Sequence, residues 1–423
     1  MASYTLLAAA FLGLIAAQTP GTSPEVHPKL TTWKCTNAGG CQPKNTAVVL
    51  DAATHLIHQR NATSLGCGNW GSGADPVACP DEESCADNCI IEGISDYTQY
   101  GVSTEGGSMQ LDMYNPSGGT ASPRLYLLAE GEERYEMLKL TGNELSFDVD
   151  VSKLPCGMNG ALYLSEMNPN GGSSDLNRAG AKFGAGYCDA QCFVTPWFDG
   201  VGNIAGDGVC CNEMDIWEAN SRSNQIAPHT CGKESSFTCS GDACGSTASG
   251  ICDKIGCGDN PYLHRNDKEF YGLGLKVDTT KPFTVVTQFP AKDGVLQAIV
   301  RKYVQDGVVI ENTHVNITMD QAYCDAQSSA SQFNALGGIK GMGEALARGM
   351  VLAFSVWWDE SGFMNWLDAG NAGPCNATEG DPKVITQIEK APAVTFSQVK
   401  WGEIGSTFGG AHNGTMRRRR TRV

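Results

Sequence analysis

Leu145-Ser146-Phe147-Asp148-Val149-Asp150-Val151 alternates apolar and polar side chains at every step. A two-residue period puts Leu145, Phe147, Val149 and Val151 on one face, the pattern of a half-buried strand. The same reading extends outward along the chain. Phe283 to Phe289 is a β-branched run, and Val295 to Val304 and Val308 to Glu311 are two more strand candidates. Asp293-Gly294 and Asp306-Gly307 separate these three segments, as hairpin turn residues should. The spacing predicts a meander. Apolar runs with a helical period are few; Gly341 to Arg348 and Gln321 to Ser328 are the best short helices. With 51 Gly and 18 Pro, much of the remainder must be turns. No Ser/Thr/Pro-rich linker and no internal repeat divides the chain. The expected fold is all-β: one large antiparallel β-sandwich with disulfide-pinned loops and a few short helices.

The 423 residues suffice for a large core. A net charge of −16 argues against nucleic acid or an anionic membrane as partner and favours a neutral polymer or small molecule. Residues 1–17 read as a secretory signal peptide: Leu6 to Ala17 is apolar, and Ala17 precedes Gln18-Thr19-Pro20, although no Lys or Arg opens the segment. The expected division is a signal at 1–17, one large domain at 18–408, and a basic tail at 409–423. The tail contains Arg417 to Arg420 and reads as disordered, with an electrostatic anchor as the sharper alternative. No other run is long and apolar enough to cross a bilayer. An even 18 Cys in an exported chain read as disulfides. Cys188 and Cys192 with Cys210-Cys211 raise a zinc alternative, but no Cys-x2-Cys knuckle or His-Glu-x-x-His accompanies them, so no metal or cofactor is expected. Sequons at Asn61, Asn316, Asn376 and Asn413 agree with a secretory route.

Glu213-Met214-Asp215-Ile216-Trp217-Glu218 packs three carboxylates among bulky apolar side chains. Such crowding is unfavourable unless a cation or a shared proton relieves it. As a strand, the run points Glu213 and Asp215 to one face and Glu218 to the other. Glu218 joins them only if the strand bulges or bends, and bulges beside active sites re-aim side chains. Two carboxyls, one ionised and one protonated, are what glycosidic cleavage needs; a third can orient the nucleophile. A Ca²⁺ site or a solvated acidic strand is the plainer reading.

The wider stretch Val209-Cys210-Cys211-Asn212-Glu213-Met214-Asp215-Ile216-Trp217-Glu218-Ala219-Asn220 resembles the signature of glycoside hydrolase family 7, the fungal cellulases. Phe147 to Tyr163, Gly186 to Cys192, Pro228 to Cys231 and Val399 to Thr407 resemble further family segments, and the likeness runs from about Gln18 to Thr407. The resemblance implies a concave jelly roll with a cleft across one face and a retaining mechanism. By position, Glu213 is the nucleophile, Glu218 the general acid/base, Asp215 a hydrogen-bond partner of Glu213, and His229 a histidine near the leaving group. Alone, His229 before a Cys would be structural. Trp357 and Trp366 match sugar platforms flanking the cleavage point. Tyr163, Tyr187, Arg124, Asn159, Asp189 and Gln191 match substrate-binding positions of the cleft. Without the match each reads as a core, packed or loop residue.

The tunnel-forming members of that family roof the cleft with long loops and carry tryptophans at the positions of Thr54 and Leu56. Here only 17 residues, Phe193 to Val209, separate Cys192 from Cys210, and Cys244 to Cys252 and Asp368 to Cys375 are similarly brief. Short loops imply an open groove that accepts mid-chain glucan. The expectation is a secreted, monomeric, retaining endo-1,4-β-glucanase acting on soluble or amorphous β-1,4-glucan. A cellobiohydrolase and a non-catalytic glucan-binding lectin are the alternatives. The family's bridging pattern implies Cys35–Cys41, Cys67–Cys89, Cys79–Cys85, Cys156–Cys375, Cys188–Cys211, Cys192–Cys210, Cys231–Cys252, Cys239–Cys244 and Cys257–Cys324.

Overall fold

The computed structural model describes residues 18–244, 249–310 and 318–408. The expected signal peptide, the basic tail, Asn316, Asn413 and Glu311 lie outside the described residues. Asn61 and Asn376 are exposed. No helix among the described residues is long and apolar enough to cross a membrane.

Twelve strands carry the architecture: β1 (Lys29–Thr36), β2 (Gly40–Leu50), β3 (Arg124–Leu128), β4 (Asn143–Asp150), β5 (Met158–Ser165), β6 (Glu213–Ala219), β7 (Asn224–His229), β8 (Phe283–Gln288), β9 (Ala298–Gln305), β10 (Val308–Ile310), β11 (Met350–Trp358) and β12 (Ala393–Glu403). They are hydrogen-bonded in the order β7-β6-β5-β11-β3-β2-β1-β12-β4-β8-β9-β10. The path doubles back on itself. Trp217 of β6 meets Phe147 of β4, Phe283 of β8 and Tyr303 of β9 edge-on, at 6.3, 5.8 and 6.4 Å between ring centroids. Phe354 of β11 likewise meets Phe396 of β12 at 5.6 Å. Opposite ends of the hydrogen-bonded path therefore face each other across one core, which makes a sandwich. Leu145, Phe147 and Val149 point into that core, as their alternation requires.

Several expectations need correction. The sandwich is antiparallel along this path except between β1 and β12, which run parallel over Trp33–Cys35 and Lys400–Gly402. The run Val295 to Val304 breaks at Gln297: Val295–Leu296 pairs only with Ala291–Lys292, around the Asp293-Gly294 turn. Both turn pairs have positive φ (52° and 79° at Asp293-Gly294, 52° and 76° at Asp306-Gly307), so their chemistry was read correctly. The first helix begins earlier, at Gly338, and ends at Arg348; the second stops at Asp325, and a separate turn follows over Ser328–Ala330.

Strand β6 carries the irregularity that its carboxylate parity demands. Against β5, Leu162 faces Trp217 but Leu164 faces Met214, so Asp215 and Ile216 stand opposite Tyr163 alone. Against β7, Asp215 faces Ala227 and Glu218 faces Gln225, so Ile216 and Trp217 oppose Ile226 alone. Two residues against one is a β-bulge on each side of the strand. Consecutive Ile216 and Trp217 both enter the core, and the face changes between them and Glu218.

All nine expected disulfides form. Cys156–Cys375 spans 219 residues and ties the turn into β5 to the segment after β11. Beside it, Asp368 accepts hydrogen bonds from Gly157 N and Asn220 Nδ2, both at 2.7 Å. Chain-entropy arguments make this the most stabilising bridge. Replacing both cysteines by Ala should cost about 3–5 kcal/mol in denaturant unfolding, clearly more than the same change at Cys35–Cys41, whose separation is 6. Equal losses at the two sites would contradict the loop-length argument.

Candidate active site

The outer face of the layer β7-β6-β5-β11-β3 forms one groove of about 1070 Å³. Its floor comes from successive strands: His229 and Gln225 of β7; Glu213, Asp215 and Glu218 of β6; Ala161 and Tyr163 of β5; Ser355 and Trp357 of β11; and Arg124 of β3. The groove therefore crosses the strands. The bulge also shortens the carboxylate spacing. Glu213 faces Ser165 and Glu218 faces Ala161, so five residues of β6 match four of β5, roughly 13 Å instead of 16 Å of extended chain.

Each carboxylate has its own partner. Glu213 Oε2 accepts from Ala190 N at 3.1 Å, on the loop pinned by Cys188–Cys211 and Cys192–Cys210. Glu218 Oε1 accepts from Asn159 Nδ2 at 3.0 Å. Asp215 Oδ2 lies 3.1 Å from His229 Nε2. His229 Nδ1 in turn points to the Asp253 carbonyl at 3.2 Å. Gly256, at φ +78°, lets the following loop close on this imidazole: a Cβ there would come within 2.8 Å of His229 Cε1. Asp215 thus meets His229 while sharing the groove face with Glu213.

Burial, then the charges of Asp215 and Asp189, push the Glu213 carboxyl well above the usual range, against the Ala190 N–H. Burial, then Asp215, raises Glu218 to about 8, opposed by the Asn159 hydrogen bond and the charge of His229. Burial alone would lower His229; the hydrogen bond and charge of Asp215 outweigh it and raise it to about 9. Near neutral pH the imidazolium thus donates from both nitrogens, to Asp215 and to the Asp253 carbonyl. The carboxyls share protons as a set, and one that stays protonated near neutrality can act as a general acid.

One wall is a polar and aromatic stack. Tyr163 Oη donates to Tyr187 Oη at 3.2 Å, which donates to Asp189 Oδ2 at 2.8 Å. Asp189 Oδ1 is fixed by Gln191 N and Cys192 N, both at 3.0 Å. The Arg124 guanidinium lies 3.6 Å from the Tyr187 ring centroid and bonds Asp51 Oδ2 through Nη2 at 2.9 Å and Nε at 3.2 Å. Trp357 and Trp366 lie 6.5 Å apart, tilted by 31°, with Trp366 on the short helix Asn365–Asp368.

The groove brings together all but one of the candidate residues. Asn159 is the exception. It is fully buried beneath the floor, where it donates to Glu218 and accepts from Ala219 N at 3.1 Å. Thr54 lines the groove, whereas Leu56, 59% exposed, does not. Sequence reasoning missed Asp51, Trp70 and Asp253. Asp51 meets Arg124 across 73 positions, which no local pattern reveals. Trp70 left a usable signal: a lone tryptophan in the Gly-rich run Gly66-Cys67-Gly68-Asn69-Trp70-Gly71.

Removing the Asp215 charge should lower the pKa of both Glu218 and His229. Asp215→Asn is expected to move the alkaline limb of kcat/KM from about pH 8 to lower pH by about one unit. An unmoved limb would separate Asp215 from the proton chemistry. Both raised pKa values also have one stability sign. Their contribution is full below the ordinary values of 4.5 and 6.5 and is lost as pH rises through about 8 and 9. Urea midpoints should therefore fall toward alkaline pH, less steeply in the variant.

The chain matches the family model described as "Glycosyl hydrolase family 7" over residues 20–408. It is 56% identical over 419 residues, 96% of this chain and 98% of the relative, to the "Probable endo-beta-1,4-glucanase celB" of Aspergillus terreus (strain NIH 2624 / FGSC A1156). The native structure of Humicola insolens endocellulase EGI superimposes with a TM-score of 0.89 at 54% identity, covering 92% of this chain and 100% of that one. A GH7 family cellobiohydrolase from Daphnia pulex reaches a TM-score of 0.83 at 35% identity, covering 92% and 99%. With the fold, the groove and the family match in agreement over nearly the whole chain, the chain belongs to glycosyl hydrolase family 7.

Proposed function

We propose that this chain is a secreted, monomeric, retaining endo-1,4-β-glucanase. The observation that carries the reading is the pair of bulges in β6, which turns Glu213, Asp215 and Glu218 into one groove. In the reactive form the proton of the coupled pair sits on Glu218, and the ionised Glu213 attacks the anomeric carbon while Glu218 gives that proton to the departing glycosidic oxygen. The resulting glycosyl ester is cleaved by water, whose proton returns to Glu218, and Glu213 is released. Asp215, paired with His229, keeps Glu218 protonated by its charge. Endo action is supported by the brief loops beside the groove and by Thr54 and Leu56, which offer no distant sugar platform.

Glu218→Gln should lose about 10²–10⁴-fold in kcat on cellulose oligomers, where the leaving oxygen needs a proton. The loss in the glycosylation step should be much smaller on 4-nitrophenyl β-cellobioside, whose phenolate leaves unaided. Glu213→Gln should abolish turnover on both while oligomer binding persists; retained turnover would remove Glu213 as the nucleophile, and a wild-type chain that binds oligomers without cleaving them would favour a lectin. The first product seen by NMR should be the β-anomer, and carboxymethyl-cellulose should lose viscosity rapidly. Cellobiose as nearly the sole early product would refute endo action.

A further inference from the structure

Trp70 stands apart from the residues assigned above. Its side chain is 46% exposed and lines the groove. It packs against Phe193, itself 50% exposed, at 6.0 Å, and against Tyr187 at 6.3 Å. The loops carrying the two rings are both held firmly. Cys67–Cys89 pins the first and Cys192–Cys210 the second. They also bond each other: Gly71 N to Val194 O at 2.9 Å and Ala74 N to Asn203 O at 3.1 Å. Two fixed aromatic rings thus stay open to solvent at one wall of a polysaccharide-sized groove. Shielding Arg124 does not account for them. That guanidinium is already stacked on Tyr187 and bonded to Asp51, and lies 5.1 Å from the Trp70 centroid. Exposed apolar surface held rigid and contiguous with a groove marks a contact site.

We propose that Trp70 and Phe193 form an additional subsite for a glucosyl ring on the glycone side, beyond Arg124, and so favour longer glucan chains. The inference rests on the glucanase reading. The side follows from chemistry: Phe193 continues the loop whose Ala190 N–H bonds Glu213, and the sugar retained on the nucleophile is the glycone. The distance follows from topology. Arg124 on β3 lies three strands from Glu213 on β6, about 14 Å, or about two to three rings from the bond cleaved. Sugar C–H faces gain from an aromatic plane as other apolar surfaces do.

The test compares kcat and KM of Trp70→Ala and Trp70→Phe on cellohexaose and on 4-nitrophenyl β-cellobioside, which is too short to reach the subsite. Trp70→Ala should raise KM for cellohexaose about fivefold more than for the cellobioside, with kcat following less. Trp70→Phe should recover most of the difference. Equal losses on both substrates would assign Trp70 a structural role and overturn the proposal, as would no loss on either. A wild-type chain that cleaves neither substrate would instead sink the glucanase reading, and the subsite with it.

Discussion

The active groove depends on where the backbone of β6 stops alternating. In a regular strand, Glu218 would point into the core and Trp217 into the groove, burying a carboxylate among Phe147, Phe283 and Tyr303. The bulge prevents both. It sends Ile216 and Trp217 inward together and returns Glu218 to the face of Glu213 and Asp215. Bulging interrupts the ladder around Ile216. Arg301, reaching from β9 in the opposite layer, gives its Nη2 proton to the Ile216 carbonyl and its Nε proton to Thr287 Oγ1 at 3.1 Å. A buried carbonyl left without a donor would be costly, so the guanidinium helps make the irregular strand a stable one. Trp217, fully buried and ringed by aromatic edges, fixes the inward side.

That geometry creates an electrostatic problem and supplies the chemistry from it. Carboxyls confined in a half-dry groove cannot all ionise near neutrality. His229 takes the charge of Asp215, Ala190 offers Glu213 one N–H, and Asn159 offers Glu218 another donor. The residual repulsion keeps protons on the cluster well above the pH at which exposed acids lose them. A proton held against burial and neighbouring charge is one that a departing oxygen can receive. Ala190 sits on a short loop held by two disulfides, and His229 and Asn159 are fixed on strands β7 and β5, so the geometry is set before substrate arrives.

Much of this was legible along the chain. Period-two alternation at Leu145 to Val151 identified a strand and its buried face, and Asp306-Gly307 identified the turn between β9 and β10, because both are local properties of backbone and side chain. The conflicting parity of Glu213 and Glu218 called for a bulge or a bend if both were to share one face. Resemblance, not spacing, supplied the nine cysteine pairs and the candidate residues of the groove. Local reading failed where partners are distant in sequence. Asp51 meets Arg124 because β2 lies beside β3, although the two residues are 73 positions apart. Asn159 has the composition of a sugar ligand, and only the fold shows its depth beneath the floor and its bond to Glu218.

By itself, then, the sequence determined a β-rich, disulfide-bridged chain with a carboxylate strand that could not be regular if Glu213 and Glu218 were to share one face, since side-chain period and charge repulsion act over a few residues. Tertiary structure decided the rest. Folding the strand path back on itself chose which face became core and which became groove. It brought Arg301 to the bulge and set Trp70 beside Phe193 from two separately bridged loops. Those contacts join segments far apart in the chain, and their energies exist only once the layers have packed.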